Sequence, residues 1–217
     1  MKVPEGYQSA LDVRETEVAI KKVKDFFERA LATNLNLTRV SAPLFVAPET
    51  GLNDDLNGVE RPVSFDIPDA HMEAQVVHSL AKWKRMALYN YDFPVGKGLL
   101  CDMNAIRRDE ELDNLHSAYV DQWDWEKVIT EEDRNFDYLK TTVNRIVESI
   151  CNTLDEVKYQ YEHLHTELCR EVSFITSQEL EDMYPDLTPK ERENAYAREK
   201  KTIFIMQIGD LLKSGER

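Results

Sequence analysis

The chain has 217 residues, a length that suits one globular domain able to bury roughly 70% of the surface its unfolded form exposes. Its 27 Lys and Arg against 41 Asp and Glu give a formal net charge of −14, which opposes contact with a phosphate backbone and argues against nucleic acid as a partner. Three cysteines without CxxC spacing, no signal-like apolar run in Met1 to Gly6, and a longest aliphatic stretch of only Ile203 to Met206 exclude a disulfide scaffold and a membrane span and point to a cytoplasmic protein.

Residues 14–33 place Ala19, Ile20, Val23, Phe26, Phe27, Ala30 and Leu31 on one stripe, which predicts an amphipathic first helix. Leu37 to Val46 is β-rich but interrupted by Pro43; a proline cannot donate to a ladder, so an edge or a bend is expected there. Such an edge after a long helix is a candidate dimer contact. Gly51 to Gly58 has turn composition, and short strands are predicted near 62–66 and 73–77. A helix over 80–91 follows, with Ser79 as its N-cap.

Extended segments are predicted near 99–106 and 117–126. Thr130 with Asp133 offers a capping box for a long helix whose stripe is Phe136, Leu139, Val143, Ile146, Val147, Ile150, Leu154 and Val157. Thr176 with Glu179 and Thr188 with Glu191 mark two shorter helices, with Pro189 suited to a first helical position. Thr202 to Ile208 reads as a buried strand. Without βαβ regularity, repeats or a flexible linker, these elements predict an α+β fold, an antiparallel β-sheet flanked by helices, in a single domain over 1–217.

Chemistry-bearing residues concentrate in three places. Tyr119 to Glu126 alternates, with Tyr119, Asp121, Trp123 and Trp125 on one face and Val120, Gln122, Asp124 and Glu126 on the other. It reads either as an edge strand with its polar face in water, or as a well-buried strand whose polar row lines a cleft. On the helix after Ser79, Lys84 falls in the stripe of Leu80, Trp83, Ala87, Leu88 and Tyr91, while Lys82 and Arg85 point more nearly to water. Lys84 either snorkels to solvent or meets a carboxylate or phosphate. His78 reads as a satisfied structural histidine. Arg107-Arg108-Asp109-Glu110 taken alone is a solvated turn, and His163 and His165, two apart on a helical register, face apart and make no metal pair.

Taken together, Ala42-Pro43, Asn53-Asp54-Asp55-Leu56-Asn57-Gly58, Val76 to Arg85, Arg107 to Glu110, Leu115-His116-Ser117 and Tyr119 to Glu126 resemble the ammonia-dependent asparagine synthetase family, the aspartate-ammonia ligases. That family shares the catalytic fold of class II aminoacyl-tRNA synthetases. In this light the first helix with Pro43 resembles motif 1, the dimer-forming element, and Arg107 to Glu110 with the strand to Glu126 resembles motif 2.

The resemblance implies an ATP- and Mg²⁺-dependent homodimer that joins ammonia to L-aspartate through a β-aspartyl adenylate, releasing pyrophosphate and then AMP. It implies Arg107 on the α-phosphate, with Arg108 as the alternative register, Glu110 near the adenine and His116 among the ATP contacts. Lys84 and Ser79 are expected on a substrate carboxylate, Gln122 and Asp124 on the polar end of aspartate, and Asp54 assisting ammonia. The family's chain continues past the Leu212 to Arg217 stretch, through an acidic metal-binding region and a motif 3 arginine, so the fold is expected to be incomplete at the C-terminus. Loss of one such electrostatic donor costs about 10²–10³ in rate. Two other readings fit the residues: an aspartyl- or asparaginyl-tRNA synthetase relative, opposed by the net charge of −14, and an inactive module that binds aspartate or adenylate only.

Overall fold

The computed structural model describes residues 3–54, 56 and 58–215; Asp55 and Asn57 of the Gly51 to Gly58 turn, and Glu216 and Arg217, lie outside the described residues. The first helix, α1, runs Val13–Leu35. Asn36 follows it with φ 59°, the left-handed conformation that asparagine tolerates better than other residues with a side chain, and so turns the chain into the first strand. The chain divides into two compact units, one of Leu31–Arg134 with the N-terminal residues to Asp12, the other of Val13–Ala30 and Asn135–Arg217.

In the first unit, β1 (Leu37–Arg39), β2 (Phe45–Val46), β3 (Ser64–Ile67), β4 (Met72–Val76), α2 (Ala81–Asn90), β5 (Gly98–Ile106) and β6 (Tyr119–Lys127) form two three-stranded sheets. One has the order β2-β4-β3 and is antiparallel throughout. The other has β5 at its centre, with β1 parallel on one side and β6 antiparallel on the other, paired from Gly98↔Lys127 to Ile106↔Tyr119. Pro43 falls between β1 and β2, outside both strands and next to a bend at Leu44, where the sequence predicts an edge or a bend. Alternate β5 residues Leu99, Cys101, Met103 and Ala105 pack with Leu80, Trp83, Ala87 and Leu88 in one buried cluster. Each fully buried leucine there contributes about 1.5–3 kcal/mol.

Two helix starts differ from expectation. Leu80, not Ser79, occupies the N-cap of α2 and makes no side-chain cap bond; the Ser79 hydroxyl instead accepts the Ala81 N–H at 3.2 Å. Leu80 is fully buried, and burial of that side chain outweighs capping preference. Thr130 and Asp133 do exchange reciprocal bonds, Thr130 N–H to Asp133 Oδ2 and Asp133 N–H to Thr130 Oγ1, both 3.2 Å, but in a turn before the helix. The cap is Asn135, whose side chain accepts the Tyr138 N–H at 2.9 Å.

The second unit holds α3 (Phe136–Gln160), β7 (Ser173–Thr176), α4 (Ser177–Met183), α5 (Pro189–Lys200) and β8 (Ile203–Met206). Both expected capping boxes form, Thr176 with Glu179 and Thr188 with Glu191, and Pro189 opens α5. Of the α3 stripe, Val143 is buried while Phe136, Leu139 and Ile150 are exposed. His163 and His165 lie past the end of that helix, on irregular chain. β8 is half-buried along its length and pairs in parallel with β7, a strand that the pattern of four residues between a polar stretch and a cap did not announce. The fold is α+β as expected, with two parallel pairings added to its antiparallel sheets.

Gly98 fixes the start of the central sheet. A Cβ there would lie 2.3 Å from the Glu126 carbonyl oxygen and 2.8 Å from both Leu37 Cδ2 and Lys127 Cα, two of the three being backbone atoms of the paired strand. Gly98→Ala is expected to destabilise the protein by about 2–3 kcal/mol, read as a fall in the urea midpoint; an unaltered midpoint would show that β1 and β6 yield without cost.

Candidate active site

The helix α2 lies on the β5–β6 face that carries Gln122, Asp124 and Glu126, and it brings a cation to that polar row. Lys84, in the helix stripe, is 3% exposed. Its ammonium forms an ion pair with Asp124, donates to the Trp125 carbonyl at 3.1 Å and stands 3.8 Å from Glu126 Oε2. Glu126 is also 3.5 Å from the exposed Arg85 guanidinium. Lys84 therefore does not snorkel to solvent: a buried ammonium requires such partners. The polar row of β6 meets a buried cation, although β6 is an edge strand of its sheet and its tryptophans are only half-buried. Gln122, two residues along the same face, donates to Met103 Sδ at 3.1 Å. Beneath the pair, the fully buried Cys101 thiol is pushed up to about 11 by burial and by the Asp124 carboxylate, so it stays protonated at neutral pH.

Asp54 is held on a turn by its neighbour Asn53, which is buried. The Asn53 side-chain oxygen accepts the His78 N–H at 2.9 Å and the Asp54 N–H at 3.1 Å. Its amide donates to the Val76 carbonyl at 3.3 Å, and its own carbonyl accepts Lys82 Nζ at 3.1 Å. The Asp54 carboxylate accepts the Leu56 N–H at 3.3 Å, and its carbonyl lies 3.2 Å from His78 Nδ1. Leu56 has φ 54°, a strained conformation for a leucine.

Leu56, Glu60, His78, Arg107, Arg108, Asp109 and Glu110 line a cleft of about 370 Å³. Arg107 leaves β5 with its N–H on the Ala118 carbonyl at 2.7 Å, and the Glu110 N–H closes the turn onto the Arg107 carbonyl at 3.3 Å. The Arg107 Nε is buried and has no hydrogen-bond partner among the described residues, an unmet donor within a side chain that borders the cleft. Asp109 is gripped by Arg61, and those hydrogen bonds hold its carboxyl well below the usual carboxylate range. Among the described residues no group of three or more His, Cys, Asp or Glu side chains is arranged to hold a metal ion.

Of the residues singled out in the sequence, Lys84 and Asp124 are in contact, Gln122 shares their strand face and Ser79 stands at the start of their helix. Arg107 and Glu110 share the cleft. His116 is not among that cleft's lining residues; its ring Nδ1 lies 2.9 Å from Asp113 Oδ1. Asn53, Arg61 and Glu126 carry contacts that sequence reasoning did not assign to them. Only Glu126 had a legible signal, its place in the polar row. His78, read as structural, is indeed 1% exposed and also lines the cleft.

The sequence profile of the aspartate-ammonia ligase family matches residues 14–217. The chain is 62% identical over 213 residues to an aspartate-ammonia ligase of Ruminiclostridium cellulolyticum, covering 98% of this chain and 63% of that protein. It is 60% identical over 216 residues to one of Clostridium perfringens, covering 99% of this chain and 64% of that protein. The chain thus spans a little under two thirds of the length of these relatives. Among solved structures, the asparaginyl-tRNA synthetase of Pyrococcus horikoshii complexed with asparaginyl-adenylate superposes with TM-score 0.62 at 16% identity, over 87% of this chain and 44% of that one. The asparaginyl-tRNA synthetase of Entamoeba histolytica with the same ligand gives TM-score 0.60 at 13% identity, over 88% of this chain and 43% of that one. These two likenesses concern the fold.

Two outcomes are expected. Asp124→Asn leaves the Lys84 ammonium without its nearest counter-charge and should cost about 3 kcal/mol of stability in urea unfolding, whereas Lys84→Met with Asp124→Leu should recover most of it; a single-variant loss within error would contradict the pairing. The Asp109 carboxylate is favoured by the fold, so its contribution is complete above the ordinary aspartate range of about 3.9 and is lost as pH falls through its lower folded value. A side-chain carboxyl NMR titration should therefore place its midpoint below that range, and a midpoint at or above it would contradict the Arg61 contact.

Proposed function

The chain belongs to the aspartate-ammonia ligase family, and on that premise we propose that it carries the aspartate site and one wall of the nucleotide site of an ATP-dependent ligase converting L-aspartate and ammonia to L-asparagine. The observation that carries this reading is the Lys84–Asp124 pair beneath α2, which presents both charges a zwitterionic amino acid needs. The substrate carboxylate takes the Lys84 ammonium, with the Ser79 hydroxyl as a second donor. The substrate ammonium takes Asp124, and Gln122 fixes the polar end from the same strand. One internal ion pair is exchanged for two intermolecular ones.

In the first step a β-carboxylate oxygen of aspartate attacks the α-phosphorus of ATP, and the bond to pyrophosphate breaks. Negative charge collects on the α-phosphate oxygens, where the Arg107 guanidinium stabilises it. Glu110, at the other end of the turn, accepts from the adenine. Arg108 is exposed, and Arg107, with its buried orphan donor, is favoured over it for the phosphate. Ammonia then attacks the β-carbonyl carbon, AMP leaves with the bonding electrons, and the proton shed by the new amide nitrogen passes to the Asp54 carboxylate. His116, held by Asp113, takes no step in this scheme. ATP is expected as its magnesium complex, and no step is assigned to the metal.

The family resemblance of α1 with Pro43 supports a homodimer. Three unpaired cysteines support a reducing cytoplasm, and no helix among the described residues is long and apolar enough to cross a membrane. The net charge of −14 disfavours nucleic acid as a partner. The protein carrying this chain, incubated with ATP, Mg²⁺, aspartate and ammonium, should yield equimolar AMP and asparagine; absence of AMP would overturn the reading. Arg107→Ala is expected to lower kcat about 10²–10³-fold, measured as AMP release.

A further inference from the structure

The Arg107–Glu110 turn carries at its two ends the residues placed on the α-phosphate and the adenine, yet its two middle residues are exposed. Its own backbone supplies one closing bond, 3.3 Å long. What fixes it sits at its third residue. Asp109 accepts three bonds from Arg61: from the backbone N–H at 2.8 Å, from Nε at 3.0 Å and from Nη2 at 2.6 Å. The guanidinium engages both carboxylate oxygens side by side, a geometry that sets orientation as well as distance and that lysine cannot reproduce. Isolated surface ion pairs contribute little because their side chains pay entropy to meet. This one differs, because the backbone N–H of Arg61 joins the fork and removes that freedom at one end. The depressed titration of Asp109 accords with such a grip.

We propose that Arg61 is a positioning residue for the nucleotide cleft: by clamping Asp109 it fixes the Arg107–Glu110 turn, and so the two side chains that meet the phosphate and the base. The role rests on the nucleotide assignment above; the clamp itself does not. Arg61 touches no reacting atom, so its loss acts through the turn.

The test compares Arg61→Ala, Arg61→Lys, Asp109→Asn and the exchanged double variant Arg61→Asp with Asp109→Arg, all in the protein carrying this chain. Amide hydrogen exchange at residues 107–110 reads the clamp, and the KM values for ATP and aspartate read its consequence. Both Arg61→Ala and Asp109→Asn should speed exchange in the turn and raise the KM for ATP about tenfold. That rise should exceed any fall in kcat and any rise in the KM for aspartate. Arg61→Lys, which keeps charge but not the fork, should fall between, and the exchanged pair should recover part of the loss. Unaltered exchange in both single variants, equal rises for both substrates, or an exchanged pair no better than the singles would overturn the proposal. If the unsubstituted protein forms no AMP, the reaction reading fails, while the exchange comparison, repeated with ATP alone, still decides the clamp by whether ATP slows exchange in the turn less in the single variants.

Discussion

The first unit is organised around one buried positive charge. Placing the Lys84 ammonium on the apolar side of α2 commits the fold to delivering a carboxylate to it, because an unpaired buried ion is far costlier than a lost contact. β6 delivers Asp124, the Trp125 carbonyl and, further off, Glu126, and this fixes the helix over the sheet in rotation as well as in depth. On the proposed reading a ligand here would replace charge with charge, and a molecule bringing both signs would compensate both halves of the pair, where a lone acid or a lone amine would strand one.

The two halves of the site are tied together through β5. Its inward residues pair with Gln122 and Asp124 across the ladder, at Met103↔Gln122 and Cys101↔Asp124, and the same strand ends at Ile106, directly before Arg107. A slip of one residue between β5 and β6 would turn Asp124 to the opposite face and leave Lys84 facing an indole. The close approach at Gly98 disfavours that slip at one end, where Leu37 and the Glu126–Lys127 backbone leave no room for a side chain. Register, charge pairing and the place of the arginine turn are one constraint expressed three times.

Much of this was legible in residue order. The helical stripe carrying Lys84, the alternation of Tyr119 to Glu126 and the two Thr-x-x-Glu boxes each rest on short-range pattern, and each forms, except that Tyr91, expected in the stripe, falls past the end of α2 and is exposed. What stayed hidden depends on contacts distant in sequence. Asn53 looks like a turn residue until His78, Val76 and Lys82 close on it, and Arg61 and Asp109 are 48 positions apart. β7 exists because β8 pairs with it, and nothing in four residues foretells a partner. The displaced caps have a different origin. Thr130 with Asp133 has the right chemistry and forms the right bonds, but Asn135 offers a competing cap adjacent to the first apolar helical residue, and the helix begins there.

Leu56 holds a left-handed backbone that glycine adopts freely, and it does so on the wall of the cleft. Glycine at this position would relieve strain on the order of 1 kcal/mol, partly offset by a more disordered unfolded chain, and would also strip an apolar side chain from the pocket. The position is thus one where robustness and ligand contact pull in opposite directions, and its leucine records which of the two the sequence has kept.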